Sequence, residues 1–142
     1  MDLLKVTVDY LVFGTLGLMS VLMVWFAVER WLYFRKLDLT RFTHPDELNI
    51  ELTRHTTVLY TVGANAPYVG LLGTVLGILI TFYDLGQAGG TAIEPGTIMR
   101  GLALALQATA AGLAVAIPAI LIHNAIGRRI EELTAQWRQQ RT

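Results

Sequence analysis

The chain has 142 residues, of which 54% are hydrophobic and only 15% charged, a balance far from that of soluble domains. Eleven basic residues offset eleven acidic ones, and a formal charge of zero argues against a nucleic-acid binder. With no cysteine, disulfide frameworks and thiolate chemistry are also out.

Charge vanishes from three stretches, residues 10–28, 56–83 and 101–127, which run for 19, 28 and 27 residues. About 20 residues of helix cross the roughly 30 Å of a bilayer's hydrocarbon. A soluble helix of such length would show a polar face, whereas these stretches carry mainly Gly, Ser, Thr and Asn as polar residues, plus Gln107 and His123. The expected fold is therefore an all-α membrane protein, one domain over 1–142, with three transmembrane helices at about 10–28, 64–83 and 99–122.

The first stretch follows Lys5 and could pass for a secretory signal, but it is too long and ends in Val28-Glu29-Arg30-Trp31 without a small-residue cleavage pattern. Trp25, Phe26, Trp31, Tyr33 and Phe34 cluster at its end as an aromatic belt does at a membrane interface. Beyond it, Thr43-His44-Pro45-Asp46-Glu47 reads as a helix start, with Pro in the first turn and acids following. His44, Asp46 and Glu47 are also the nearest approach to a metal set, and the helix start accounts for them. This helix is expected to run from about Pro45 toward the second span and to break or kink near Gly63-Ala64-Asn65-Ala66-Pro67.

Within the second span, Gly70, Gly73 and Gly77 form a small-residue face. Ala105, Ala108, Thr109, Gly112 and Ala116 form another in the third span, which also holds Pro118. In lipid such faces let helix backbones approach, because packing must drive association there. Between the two spans, Gly86, Gly89, Gly90, Pro95 and Gly96 mark a short loop containing Glu94. After Gly127 the third helix is expected to continue as an extension, either a solvated amphipathic end or a docking element.

Basic residues set the orientation. Arg30, Arg35, Lys36, Arg41, Arg54, Arg128, Arg129, Arg138 and Arg141 lie on one side, against Lys5 and Arg100 on the other. The positive-inside rule puts 29–63 and 123–142 in the cytoplasm, and 1–9 and 84–98 in the periplasm.

Thr74 lies nine residues inside Tyr83, and Thr109 eight residues inside Gly101, which is about 13 Å and about 12 Å of helix rise. Both hydroxyls thus reach nearly one level near the bilayer midplane. A lone threonine in a span most often bonds the carbonyl one turn back. Two at one depth on small-residue faces can instead line a narrow space and hydrogen-bond a guest group. Gln107 points elsewhere and is expected to make an interhelical hydrogen bond. No acid or base other than His123 lies in the three charge-free stretches, and a histidine near the cytoplasmic end is more often interfacial than functional. If protons are handled here, a partner must bring the carboxylate.

Three segments resemble the energiser subunits of the ExbB, TolQ and MotA group of proton-driven motors, and the ExbB branch most of all. Residues 66–77, from Ala66-Pro67-Tyr68 to Val75-Leu76-Gly77, are similar to the group's second-span signature. Ala105 to Leu113 together with Ala116-Ile117-Pro118-Ala119 are similar to the third, and Glu29-Arg30 to the pair after the first span. The resemblance implies a homo-oligomeric bundle, a pentamer, enclosing the single helices of an ExbD-type subunit and working with TonB. No cofactor and no catalytic residue are implied. It maps Thr74, Thr109, Gly70, Gly77, Ala105, Gly112 and Ala116 onto a lumen or proton pathway, and Gly73, Pro67 and Pro118 onto packing and hinge positions. Glu29 and Arg30 map onto a cytoplasmic-interface pair. Leu104 stands where many members carry a glutamate, which makes dependence on a partner's acid stricter. A TolQ-like subunit for outer-membrane integrity and a purely structural scaffold are the rival readings.

Overall fold

The computed structural model describes residues 2–89 and 94–142; Gly90 and the three residues after it, part of the expected outer loop, lie outside them. Four α-helices follow in order: α1 (Asp2–Lys36), α2 (Pro45–Leu52), α3 (Thr56–Gln87) and α4 (Pro95–Gln140), with a 3-10 turn at Leu39–Arg41. The described residues contain no strand. Helices α1, α3 and α4 are each long and apolar enough to cross a membrane. Their 35, 32 and 46 residues give about 52, 48 and 69 Å of rise, so every one outruns the hydrocarbon thickness.

Helices α3 and α4 form the tightest pair, and α1 lies against both. Two apolar layers hold them together. Val12 and Leu16 of α1 meet Ala66, Ala108 and Ala116 in one, and Met23 meets Leu59, Val62, Ala119 and Ile126 in the other. Outward-facing Leu18, Val21, Leu72, Leu79, Leu113 and Leu121 remain exposed, as a lipid-facing surface requires.

The segment between α1 and α3 departs from expectation. Helix α2 begins at Pro45 as expected but stops at Leu52, and the break falls at Thr53–His55. His55 adopts a left-handed backbone (φ 67°) and stacks on Phe26 at 4.6 Å. Helix α3 then runs unbroken through Gly63 and Pro67. The interruption therefore comes earlier than the expected one, at the left-handed His55 and not at the proline. Proline at 67 takes away only the one i to i−4 bond that its N–H would have made, and the surrounding turns of a long packed helix carry the continuity.

The α4 extension docks on its own chain. Leu133 and Trp137 join Leu39, Phe42, Leu48 and Leu52 in a third apolar cluster beyond the spans. Phe42, Leu48 and Leu52 are almost completely buried, as in a small soluble core. Away from that cluster, Arg128 and Arg129 pair with Glu131 and Glu132 in solvent, where such pairs add little.

The helices extend into the 84–98 segment from both sides. Asp84 still belongs to α3, while Pro95 and Gly96 already belong to α4, with Pro95 in the first turn where its missing N–H costs nothing.

Candidate functional site

The α3–α4 seam is built from residues without bulk. A Cβ on Gly70 would stand 2.5 Å from the Ala108 carbonyl oxygen and 3.0 Å from the Gly112 Cα. One on Gly112 would stand 2.6 Å from the Ala66 carbonyl oxygen. The two backbones therefore touch here, and only glycine allows it. Gly77 meets Ala105, and Gly73 is where three helices converge, against Ala108 and the Val12 side chain of α1.

This close approach brings the two threonines together. The Thr74 and Thr109 hydroxyl oxygens lie 2.5 Å apart, a short hydrogen bond in which either can donate. The Thr74 oxygen is also 2.9 Å from the Ala105 carbonyl and 3.3 Å from the Gly70 carbonyl one turn back. The cross-helix bonds are thus shorter than the local one a lone threonine would make. Thr74 is buried and Thr109 half-buried, so Thr109 is the member of the pair with surface to spare. One hydroxyl carries one proton. When Thr74 donates to Thr109, the Thr109 proton is free for a third group; when Thr109 donates to Thr74, the Thr74 proton goes to the Ala105 carbonyl.

Of the residues mapped above onto a lumen, Gly70, Ala105, Gly112 and Ala116 are buried by the facing helices of the same chain. Within the chain they provide close approach instead of an open wall. Gly77 and Thr109 alone of that set keep partial exposure beside the seam. Pro67 and Pro118 sit inside continuous helices. Gln107 is exposed, and its expected interhelical hydrogen bond is not found among the described residues. Equality of depth signalled the Thr74–Thr109 pairing, but that they would bond each other was not legible without the seam.

At the end of the pair where α3 gives way to α4, a cavity of about 700 Å3 opens between the helices, lined by polar Lys5, Thr81, Asp84, Glu94 and Arg100. Leu104 forms part of its wall, so the position that carries an acid in many members contributes hydrocarbon here. At the opposite end, Arg30 is buried to 1% exposure. Its guanidinium forks onto both carboxylate oxygens of Glu29 at 2.6 and 2.7 Å. It also donates to the carbonyls of Glu51 and Leu52, at 2.6 and 3.4 Å, and lies 4.3 Å over the Tyr33 ring. The pair thus closes the C-terminal end of α2, where free carbonyls and the helix dipole favour a cation. It reads as an anchor for the short helix more than as a reacting group. No group of three or more His, Asp or Glu side chains able to hold a metal occurs among the described residues.

Comparison with known proteins gives the chain's family. A family model described as the MotA/TolQ/ExbB proton channel family matches residues 41–139, which include α2, α3 and all but the end of α4. The chain is similar to the biopolymer transport protein ExbB of Helicobacter pylori strain J99, at 49% identity over 100% of this chain and 97% of the relative. It is similar also to ExbB of Aquifex aeolicus, 44% identical over 96% and 91% of the two chains. A putative ExbB-like 2 protein of H. pylori strain 26695 is 46% identical, with 94% and 88% covered. The chain belongs to the MotA/TolQ/ExbB proton channel family.

Proposed function

We propose that this chain is an inner-membrane energiser subunit that, with an ExbD-type partner, couples proton-motive force to TonB-dependent transport across the outer membrane. The names of its relatives favour the ExbB branch over a TolQ-like role. In this reading copies of the chain form a pentameric bundle with the N-terminus periplasmic and the α2 segment and tail cytoplasmic, and the partner's helices stand inside it. The spans run over about 10–28, 64–83 and 99–122.

The observation that carries the reading is the Thr74–Thr109 hydroxyl pair, joined across two spans that hold no carboxylate or ammonium of their own. A carboxylic acid from the partner crosses this level when neutral, because the neutral form loses little on leaving water. Once ionised it needs a donor, and Thr109 supplies one when its oxygen accepts from Thr74. Chaining the two hydroxyls polarises the outer O–H and strengthens its bond to an anion. Each proton falling through 100 mV of potential delivers about 2.3 kcal/mol, enough to drive movement of a bundle provided the charged acid cannot slip back.

The test is proton flux into proteoliposomes holding this chain with and without an ExbD-type subunit. Flux is expected only with the partner and is expected to fall in the Thr74→Val, Thr109→Val double variant while the complex still assembles. Undiminished flux in that variant refutes the lumen role of the threonines. Absence of flux in the unaltered complex would leave a structural scaffold as the better reading.

A further inference from the structure

Below the backbone contact of Gly70 with Gly112, on the side away from the cavity beside Asp84, the α3–α4 seam opens again. A cavity of about 290 Å3 is lined there by Leu59, Tyr60 and Ala64 of α3 and by Ile120, His123 and Asn124 of α4. One water needs about 15 Å3 of such space, so several fit. The Nδ1 atom of His123 is buried and has no hydrogen-bond partner, and its ring lies 5.6 Å from that of Tyr60. Buried polar atoms are nearly always satisfied, and an orphaned nitrogen beside a roomy, partly polar cavity is met by water.

Chemistry narrows what such a site is for. His123 is the only histidine in the three charge-free stretches, and an imidazole can accept a proton at one ring nitrogen while it donates one from the other. It stands fourteen residues beyond Thr109 on the same helix, about 21 Å toward the basic end. Tyr60 is the other titratable group on the cavity, and the next charges along α4, Arg128 and Arg129, are held by Glu131 and Glu132.

We propose that this cavity holds water and that His123 is the inner proton acceptor of the path, receiving protons that arrive from the threonine level and releasing them to bulk water. The proposal rests on the proton-channel reading above. A cavity water gives a proton to Nδ1 of the neutral ring and is reprotonated from water of the bundle's lumen, into which the partner's carboxylic acid releases its proton; the route runs along the open side of the helix pair, because the Gly70–Gly112 contact closes the seam between the two levels. An N–H bond forms as the acid's O–H bond breaks, and the imidazolium then loses its Nε2 proton to the bulk. Exchange with solvent returns the ring to the tautomer that accepts at Nδ1. One proton has moved, no electron has, and the carboxylate is ready to reload.

Two measurements test this. In proteoliposomes with an ExbD-type subunit, His123→Gln keeps polarity but cannot accept and release a proton, and flux is expected to drop about a hundredfold, the low end for a positioned proton-transfer group. Assembly, read by size-exclusion of the detergent complex, is expected to be unchanged. Nitrogen-15 NMR of the unaltered complex is expected to show His123 Nδ1 hydrogen-bonded and in exchange with water. Unaltered flux in His123→Gln, with flux in the parent, overturns the relay alone. No flux in the parent overturns the relay together with the channel reading. If the variant fails to assemble, the NMR decides: a dry Nδ1 without water exchange overturns the proposal.

Discussion

Trp137 donates its indole N–H to the carbonyl oxygen of Phe42 at 3.1 Å, joining the end of α4 to a turn 95 residues earlier. Arg141 donates to the same oxygen and stacks its guanidinium 4.5 Å over the Trp137 ring. The tail of the longest helix is thus a clamp on the segment between α1 and α2, with Leu133 one turn back in the same cluster. Trp137→Phe removes the donor and part of the ring while keeping an aromatic in the pocket, and is expected to cost about 1 to 2 kcal/mol. Trp137→Ala also empties the pocket and is expected to cost about 3 to 5 kcal/mol. Hydrogen exchange of residues 39–52 in detergent checks both: it should rise modestly in the first variant and strongly in the second, with the spans unaffected.

Arg30 performs the matching task from α1. Its fork holds Glu29 while its remaining donor closes the α2 terminus. Lysine cannot satisfy both sides at once, since an ammonium lacks the planar fork. Arg30→Lys is expected to cost about 2 kcal/mol, mostly through the Glu51 and Leu52 carbonyls left without a donor. Glu29→Gln should cost less, because the Glu29 side chain is 34% exposed and water takes over part of the pairing. A fall in apparent melting temperature larger for Arg30→Lys than for Glu29→Gln bears this out, and the reverse order rejects it.

How much of this could be read from the residues depends on the kind of force involved. The spans are plain in the charge-free stretches, because the penalty for a charge in hydrocarbon acts on each residue independently of the fold. The common depth of Thr74 and Thr109 follows from helical rise alone. Their mutual hydrogen bond does not, since it needs Gly70 and Gly112 to find each other across 42 positions. The break at His55 was hidden for another reason. Nothing local marks a histidine for a left-handed backbone, and its conformation is held by stacking on Phe26 and by the capping of α2 from Arg30. Likewise, the apolar spacing of Leu133 and Trp137 announces a docking face without saying what it docks on.

The seam provides the sharpest contrast between glycines. Gly14 and Gly17 of α1 have nothing within 4 Å of an added Cβ, so alanine there should be neutral or add up to about 1 kcal/mol through helix propensity. At Gly70 the same methyl meets the Ala108 carbonyl oxygen and the Gly112 Cα, both backbone atoms that cannot swing aside. Gly70→Ala must therefore push α3 from α4, with an expected cost of about 3 kcal/mol or more from overpacking. Displacing the helices by even a fraction of an ångström also lengthens the Thr74–Thr109 bond, which sits one turn away on the same face. Stability and proton flux should then fall together in Gly70→Ala, while Thr74→Val should lower flux with about 1 kcal/mol of stability lost. Thermal unfolding in detergent alongside flux in proteoliposomes separates the two; a Gly70→Ala protein as stable as the Gly17→Ala control would show that the backbones do not touch at this point.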